Sequence, residues 1–229
     1  MAVPSGADAS AAPDAGEQAK AAFMLRLRAR GIQNLAILRA LERVPRELFV
    51  PHLYADLARR DLAVPIGCGQ TLSEPFLVAR MIEALAPAPH HGVLEIGTGT
   101  GYATAILAEV ADRVISIERY QSLAIAARLR LAQLAKTNAE ILWGDGLALP
   151  PDFGPFERIL VHGRLDGVPD GLLALLEEGG QMVLARQVAD APGQQRIVRL
   201  TRDPKGGVAE TRLGPCRLQS IVPGLAVRL

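Results

Sequence analysis

Five short apolar runs along this chain do not alternate with polar residues. They are Val93-Leu94, Val114-Ile115 with Ile117, Ile141-Leu142-Trp143, Ile159-Leu160-Val161 and Met182-Val183-Leu184. A strand with one wet face alternates, so unbroken runs predict strands covered on both faces. Helical spacing fills the gaps between the first of them. Ala103 to Val110 forms one stretch, and Leu123, Ala127, Leu131 and Leu134 form an apolar stripe on a second. Strands alternating with helices predict an α/β fold built on a doubly wound, mostly parallel sheet. The pattern changes near the C-terminus. Arg196 to Arg202 and Val208 to Leu213 are strand-like on either side of Asp203-Pro204-Lys205-Gly206-Gly207, which predicts an antiparallel hairpin closing the sheet.

Ahead of the first run the spacing is helical. Glu17 to Arg30 carries Phe23, Met24 and Leu27 on one face and stops at Gly31, a residue suited to a helix C-terminus. A second helix starts behind Asn34, a good N-cap, with Leu35, Leu38 and Leu41 three apart. Val44-Pro45 ends it, because the residue before proline is pushed out of the helical region. His52 to Leu62 is polar and loop-like. Val64 to Pro75 holds two glycines and two prolines and predicts an ordered loop, and a helix runs from Phe76 to Leu85. These elements make residues 17–91 an N-terminal helical extension with a loop. Residues 92–229 form the α/β core with its hairpin, the whole being one compact unit from about Glu17.

Composition narrows the function classes. The segment Met1 to Gly16 is Ala, Pro, Ser, Gly and Asp with almost no large apolar residue, which predicts a disordered tail and no secretory signal. No run reaches the ~18 apolar residues of a membrane span. With 25 basic and 24 acidic residues, no global field draws the chain to nucleic acid or an anionic membrane. Two cysteines, Cys68 and Cys216, make no disulfide framework or metal site. The expectation is a cytoplasmic protein, a monomer or simple homodimer, without metal.

The chemistry gathers at the end of the first apolar run. Glu95-Ile96-Gly97-Thr98-Gly99-Thr100-Gly101 passes from strand to helix through glycines at alternate positions, which allow close backbone approach to a ligand. Glu118 closes the next strand 21 positions after Gly97, and an acid roughly 20 residues on suits the hydroxyls of a ribose. Gly144-Asp145-Gly146 follows the third strand, so Asp145 shares the crevice beyond the strand ends and suits an adenine amino group; a plain turn residue is the competing reading. The pattern predicts a nucleoside cofactor, although such glycines also serve NAD enzymes.

With these residues in place, the chain resembles the protein-L-isoaspartate O-methyltransferases, a branch of the class I S-adenosylmethionine-dependent methyltransferases. The resemblance runs from about Arg30 to Gly180. Its most specific part is Pro65-Ile66-Gly67-Cys68-Gly69-Gln70-Thr71-Leu72-Ser73 with Pro75. Arg30-Gly31-Ile32, Val44-Pro45-Arg46, Phe49-Val50-Pro51, the glycine loop, Gly144-Asp145-Gly146 and Pro155-Phe156 support it. The resemblance implies a Rossmann-like core with S-adenosyl-L-methionine as cofactor, held by Glu95, Gly97, Thr98, Gly99, Gly101, Glu118, Asp145 and Gly146. It implies that Ser73 is the active-site serine, and that Gln70, Thr71, Ser73 and His162 bind the substrate, an isoaspartyl residue in a damaged protein or peptide. The implied reaction methylates the free α-carboxylate; the ester then closes to a succinimide, and hydrolysis returns part of it to aspartate.

The chain departs from the family at Val161-His162-Gly163-Arg164-Leu165, where a small Thr-Ala-Ala-Ala-like run is expected. It departs again at Ala185-Arg186-Gln187-Val188, and at Ile221-Val222-Pro223-Gly224, a partial match to Phe-Val-Pro-Leu. Two alternatives therefore stay open. One is a diverged paralogue methylating a different carboxylate, gripped by Arg164 or Arg186. The other is a cofactor-binding protein without transferase activity.

Overall fold

A computed structural model describes residues 15–226 of the chain. The expected disordered tail lies outside the described residues up to position 14, and helix α1 (Ala15–Ala29) begins two residues ahead of Glu17. Its Phe23 and Leu27 are buried. Helix α2 (Leu35–Arg43) starts as its sequence requires: the Asn34 side chain accepts the amides of Ala36 and Ile37 at 2.9 and 3.2 Å. The stretch from His52 is not plain loop, since His52–Leu57 winds into 3₁₀ turns. The ordered loop that follows contains a short antiparallel pair, β1 (Val64–Pro65) and β2 (Thr71–Leu72), with a 3₁₀ turn at Gly67–Gly69 between them. Helix α3 (Pro75–Leu85) has proline at its first position, where no amide partner is needed. The Glu83 carboxylate of α3 accepts the amides of Gln33 and Asn34 at 2.8 and 2.7 Å and ties α2 to α3.

The core then alternates as expected: β3 (Gly92–Ile96), α4 (Tyr102–Leu107), β4 (Arg113–Glu118), α5 (Gln121–Gln133), β5 (Ala139–Trp143), β6 (Phe156–Arg164), α6 (Asp170–Ala174) and β7 (Leu176–Val188). The hairpin of β8 (Ala191–Arg202) and β9 (Val208–Cys216) follows. The seven strands lie in the order β5-β4-β3-β6-β7-β8-β9, parallel up to β7 and antiparallel beyond it. Chain direction across the sheet reverses between β3 and β6, and this is where open α/β sheets bind ligands.

Non-alternating strands bury both faces, and two apolar clusters result. One face carries Val93, Val114, Leu160 and Val183 under α1 to α5. The other carries Leu94, Ile96, Ile117, Ile159 and Val161, covered by Leu172 and Leu175 of the α6 region and by Phe153, Leu147 and Leu149 of the β5–β6 connection. The second cover is a single five-residue helix plus loops, so the winding is lopsided. Strand β5 departs from the expectation of two buried faces. It has β4 as its one neighbour, and Trp143 is 43% exposed, its indole N–H donating to the Arg119 carbonyl at 3.0 Å. Among the described residues no helix is long and apolar enough to cross a membrane.

Candidate active site

At the carboxyl ends of β3, β4, β5 and β6 lies a cavity of about 650 Å³. One wall is the glycine loop. Gly97 (φ 94°) and Gly99 (φ 57°) sit in the left-handed region that side chains disfavour, and both line the cavity with Thr98. The third glycine has a different job. Gly101 does not line the cavity, and a Cβ there would come within 3.0 Å of Leu131 Cδ1 and 3.2 Å of Ala127 Cβ, so it lets α5 pack against the loop.

Glu95 is also not in the wall. It is fully buried beneath the loop, where its Oε2 accepts from Thr104 Oγ1 at 2.5 Å and Ser116 Oγ at 2.7 Å; Ser116 Oγ lies 2.5 Å from Thr98 Oγ1. The carboxyl thus braces the loop from below. Burial pushes its pKa up to about 7, the two hydroxyls oppose the rise, and the charge of Glu118 adds to it. Among the described residues its Oε1 has no hydrogen-bond partner, and His162 Nδ1 stands 4.0 Å away. His162 itself faces the cavity. Burial lowers its pKa to about 4, so the imidazole is neutral at physiological pH.

Glu118 is held for binding. Its Oε2 accepts the Gly99 amide at 2.8 Å and its Oε1 the Tyr120 amide at 2.9 Å, while the carboxylate borders the cavity. With each oxygen taking one amide, a lone pair on each remains for a ligand hydroxyl. Burial raises its pKa and the backbone amides oppose this. Asp145 serves the turn as well as the cavity: Oδ1 accepts the Leu147 amide at 2.9 Å, and Oδ2 accepts Gly224 N at 2.6 Å. Gly146 must be glycine, since a Cβ would fall 2.6 Å from Ile96 Cγ2.

The opposite wall is the loop carrying β1 and β2. Gln70, Thr71 and Ser73 line the cavity, and the Gln70 amide donates to Tyr120 Oη at 3.2 Å. Among the described residues the Ser73 hydroxyl has no imidazole or carboxylate partner, so no nucleophilic triad is built here. The Ser73 main chain is fixed by a residue that sequence reading took only as a supporting match. Arg46 is 3% exposed and donates to the carbonyls of Leu57, Ala58, Arg60, Leu62 and Ser73 at 2.9–3.4 Å, with no carboxylate in the set. A buried guanidinium whose two terminal nitrogens are bonded to carbonyl dipoles, with Nε unpartnered among the described residues, clamps the 57–62 turn to the loop; burial lowers its pKa.

A third wall was not foreseen. Residues 217–224 cross the strand tips as a strap. Gln195 exchanges two hydrogen bonds with the Leu218 backbone (2.8 and 3.0 Å), Gln219 donates to the Gly69 carbonyl (3.1 Å), and Gly224 reaches Asp145 and Arg119. Gly163 makes room for it, because a Cβ there would lie 2.5 Å from Ile221 Cδ1. The partial Ile221-Val222-Pro223 match was the one sequence signal for this wall. Two expected anion-binding candidates are corrected: neither Arg164 nor Arg186 lines the cavity. Arg164 is taken up by Asp166 (3.5 Å) and Gln187 (3.2 Å), and Arg186 by Glu210 (2.5 Å).

The cavity therefore joins two chemistries. Glu118 and Asp145 at one end accept hydrogen bonds from hydroxyl and amino groups. Gln70, Thr71 and Ser73 at the other end offer donors to an anion.

Comparison with known proteins bears on the family and the fold. The profile of the family described as Protein-L-isoaspartate(D-aspartate) O-methyltransferase matches residues 18–224. A protein-L-isoaspartate O-methyltransferase of Rhodopseudomonas palustris (strain BisA53) is 44% identical over 210 residues, covering 92% of this chain and 96% of that protein. One of Bradyrhizobium sp. (strain ORS 278) is 46% identical over 211 residues, with 92% and 96% covered. Among solved structures, a protein-L-isoaspartate O-methyltransferase superposes with a TM-score of 0.77 at 24% identity, over 88% of this chain and 65% of that one. A Plasmodium falciparum protein assigned to the same class, solved with S-adenosyl-L-homocysteine, superposes with a TM-score of 0.75 at 22% identity, over 88% and 97%.

Proposed function

The chain belongs to the protein-L-isoaspartate O-methyltransferase family, and from that premise we propose how its cavity performs S-adenosylmethionine-dependent methylation of isoaspartyl carboxylates. The single observation that carries the reading is one cavity with Glu118, oriented by two backbone amides, at its donor end and Ser73 at its acceptor end.

The residues present fit the methyl donor. The left-handed Gly97 and Gly99 leave the loop free of Cβ atoms where a nucleoside lies against it. Glu118 has lone pairs left for ribose hydroxyls, and Asp145 for an adenine amino group, since each of their oxygens is engaged by a single amide. Thr98 and Gly146 complete that end. When bound, S-adenosylmethionine would supply a methyl group on a sulfonium, whose sulfur would leave as a neutral thioether once the acceptor oxygen had taken the methyl as an ester.

The protein's own work is alignment. A carboxylate with a pKa near 4 is already ionised at neutral pH, so no base has to remove a proton. This agrees with a cavity in which His162 is neutral and Ser73 has, among the described residues, no partner to activate it. The hydroxyls of Ser73 and Thr71 and the Gln70 amide orient the acceptor, and positioning of this kind lowers a barrier by several kcal/mol. Arg46 keeps Ser73 in place from behind.

The test is transfer of labelled methyl to an isoaspartyl peptide and to its aspartyl twin. Only the first should be labelled. Ser73→Ala should lower turnover by about 10-fold or more while S-adenosylhomocysteine affinity stays within about twofold, the pattern of a lost alignment contact. Equal loss of both would make Ser73 a structural residue. A protein that binds S-adenosylhomocysteine yet methylates no isoaspartyl peptide would overturn the acceptor assignment.

A further inference from the structure

The acceptor is an anion, and the acceptor end of the cavity already carries an acid. Glu74, next to Ser73, borders the cavity, and its carboxylate repels an incoming carboxylate. His162 is neutral and contributes no compensating charge. Two arginines line the cavity. Arg119 is engaged: its Nε donates to the Gly224 carbonyl at 2.9 Å and its guanidinium lies 5.3 Å from the centre of the Tyr120 ring, at the donor end. Arg217 has no hydrogen bond, ion pair or ring contact among the described residues.

Arg217 also stands on a fixed base. The next residue, Leu218, is pinned on both its amide and its carbonyl by the Gln195 side chain, and packs against the apolar cluster that contains Leu72 and Leu77. Gln219 is tied to Gly69 in the turn between β1 and β2. The backbone at Arg217 is thereby held beside the acceptor loop while its guanidinium is left uncommitted. An exposed, free planar cation on an anchored stalk, lining the same cavity as Ser73 and Thr71, is suited to a carboxylate.

Resting on the isoaspartyl reading above, we infer that Arg217 is the substrate-specificity residue that holds the non-reacting oxygen of the acceptor's α-carboxylate. This placement has a kinetic signature. Methyl transfer joins a carboxylate to a sulfonium and leaves two neutral products, so the negative charge on the acceptor fades toward the transition state. A cation on that carboxylate is strongest before reaction and weakest after it. Arg217 therefore contributes to substrate binding and to ester release, not to the chemical step. The residue comes from the strap, outside the loop that carries Ser73.

The experiment is steady-state methylation of two isoaspartyl peptides, one with neutral flanking residues and one with acidic flanks, by the wild-type chain and by Arg217→Gln and Arg217→Lys. With the neutral-flanked peptide, Arg217→Gln should raise KM about 10- to 100-fold, the effect of losing a charge-assisted hydrogen bond, with kcat unchanged or slightly higher. Arg217→Lys should fall between. The wild-type KM should rise with salt and that of Arg217→Gln should not. S-adenosylhomocysteine affinity and melting temperature should stay the same in all three, which a merely structural role would not allow. A KM effect confined to the acidic-flanked peptide would place Arg217 on a flanking residue and overturn the inference, as would a loss in kcat with KM unchanged. Wild-type protein inactive on both peptides would sink the isoaspartyl reading first and this one with it. An active wild type matched by Arg217→Gln would sink this one alone.

Discussion

Two ionisable side chains 4.0 Å apart, the fully buried Glu95 and the largely buried, cavity-lining His162, pull stability in opposite directions as pH changes. Glu95 has its pKa raised from 4.5 to about 7, chiefly by burial, so the folded chain binds its proton more tightly than the unfolded one. Between those values stability falls as pH rises. His162 is lowered from 6.5 to about 4 by burial; its contribution is fully present above pH 6.5 and is lost as pH falls toward 4. In the wild type the two slopes oppose each other. Glu95→Gln leaves the histidine alone and should lose about 2 kcal/mol from pH 7 to pH 5 relative to wild type, whereas His162→Gln should gain about 2 kcal/mol over the same interval. Urea midpoints at the two pH values check this, and parallel profiles for all three proteins would refute it. The sequence placed both residues near the cofactor. It did not show that Glu95 is sealed under the loop, because burial of a carboxylate is a property of what packs over it.

At the level of elements, the strap 217–224 depends on missing side chains. Gly163 in β6 leaves room for Ile221, and Gly163→Ala should destabilise the protein by about 1–3 kcal/mol, because the added methyl would overlap Ile221 Cδ1 and Cγ1 and press on the Gln219 carbonyl, a backbone atom that cannot turn aside. Adding Ile221→Ala should recover part of that loss, because the added methyl then occupies volume the isoleucine vacates. Denaturant unfolding of the two single variants and the double variant would measure the coupling; additive effects would mean that the two side chains do not meet. Helices and loops divide the credit unevenly. Asn34 and the stripe of α5 mark their helices locally, since caps and amphipathic faces are properties of neighbouring residues. The strap has no such local mark: its conformation is set by Gln195, Gly69, Arg164 and Asp145, which are distant in sequence.

For the molecule as a whole, donor binding and strap order should be linked. S-adenosylhomocysteine at about 100 times its Kd should raise the unfolding free energy by about 2.7 kcal/mol. Because Asp145 accepts the Gly224 amide while bordering the donor end, hydrogen exchange at Gly224 and Ala226 should slow together with that at Gly99 and Tyr120. Protection at Gly99 with none at Gly224 would separate the strap from the donor site. By itself the sequence determined the α/β class, the sheet with its closing hairpin, the glycine loop, and the acids at the tips of β3, β4 and β5, because apolar periodicity and turn chemistry are written in residues close along the chain. Tertiary structure alone decided that Glu95 and Gly101 support the cavity without lining it, that Arg164 and Arg186 are paired elsewhere, and that Arg46 and the strap complete the site. Each of those outcomes depends on which side chains reach each other across the folded sheet, a relation between distant positions that no local pattern encodes.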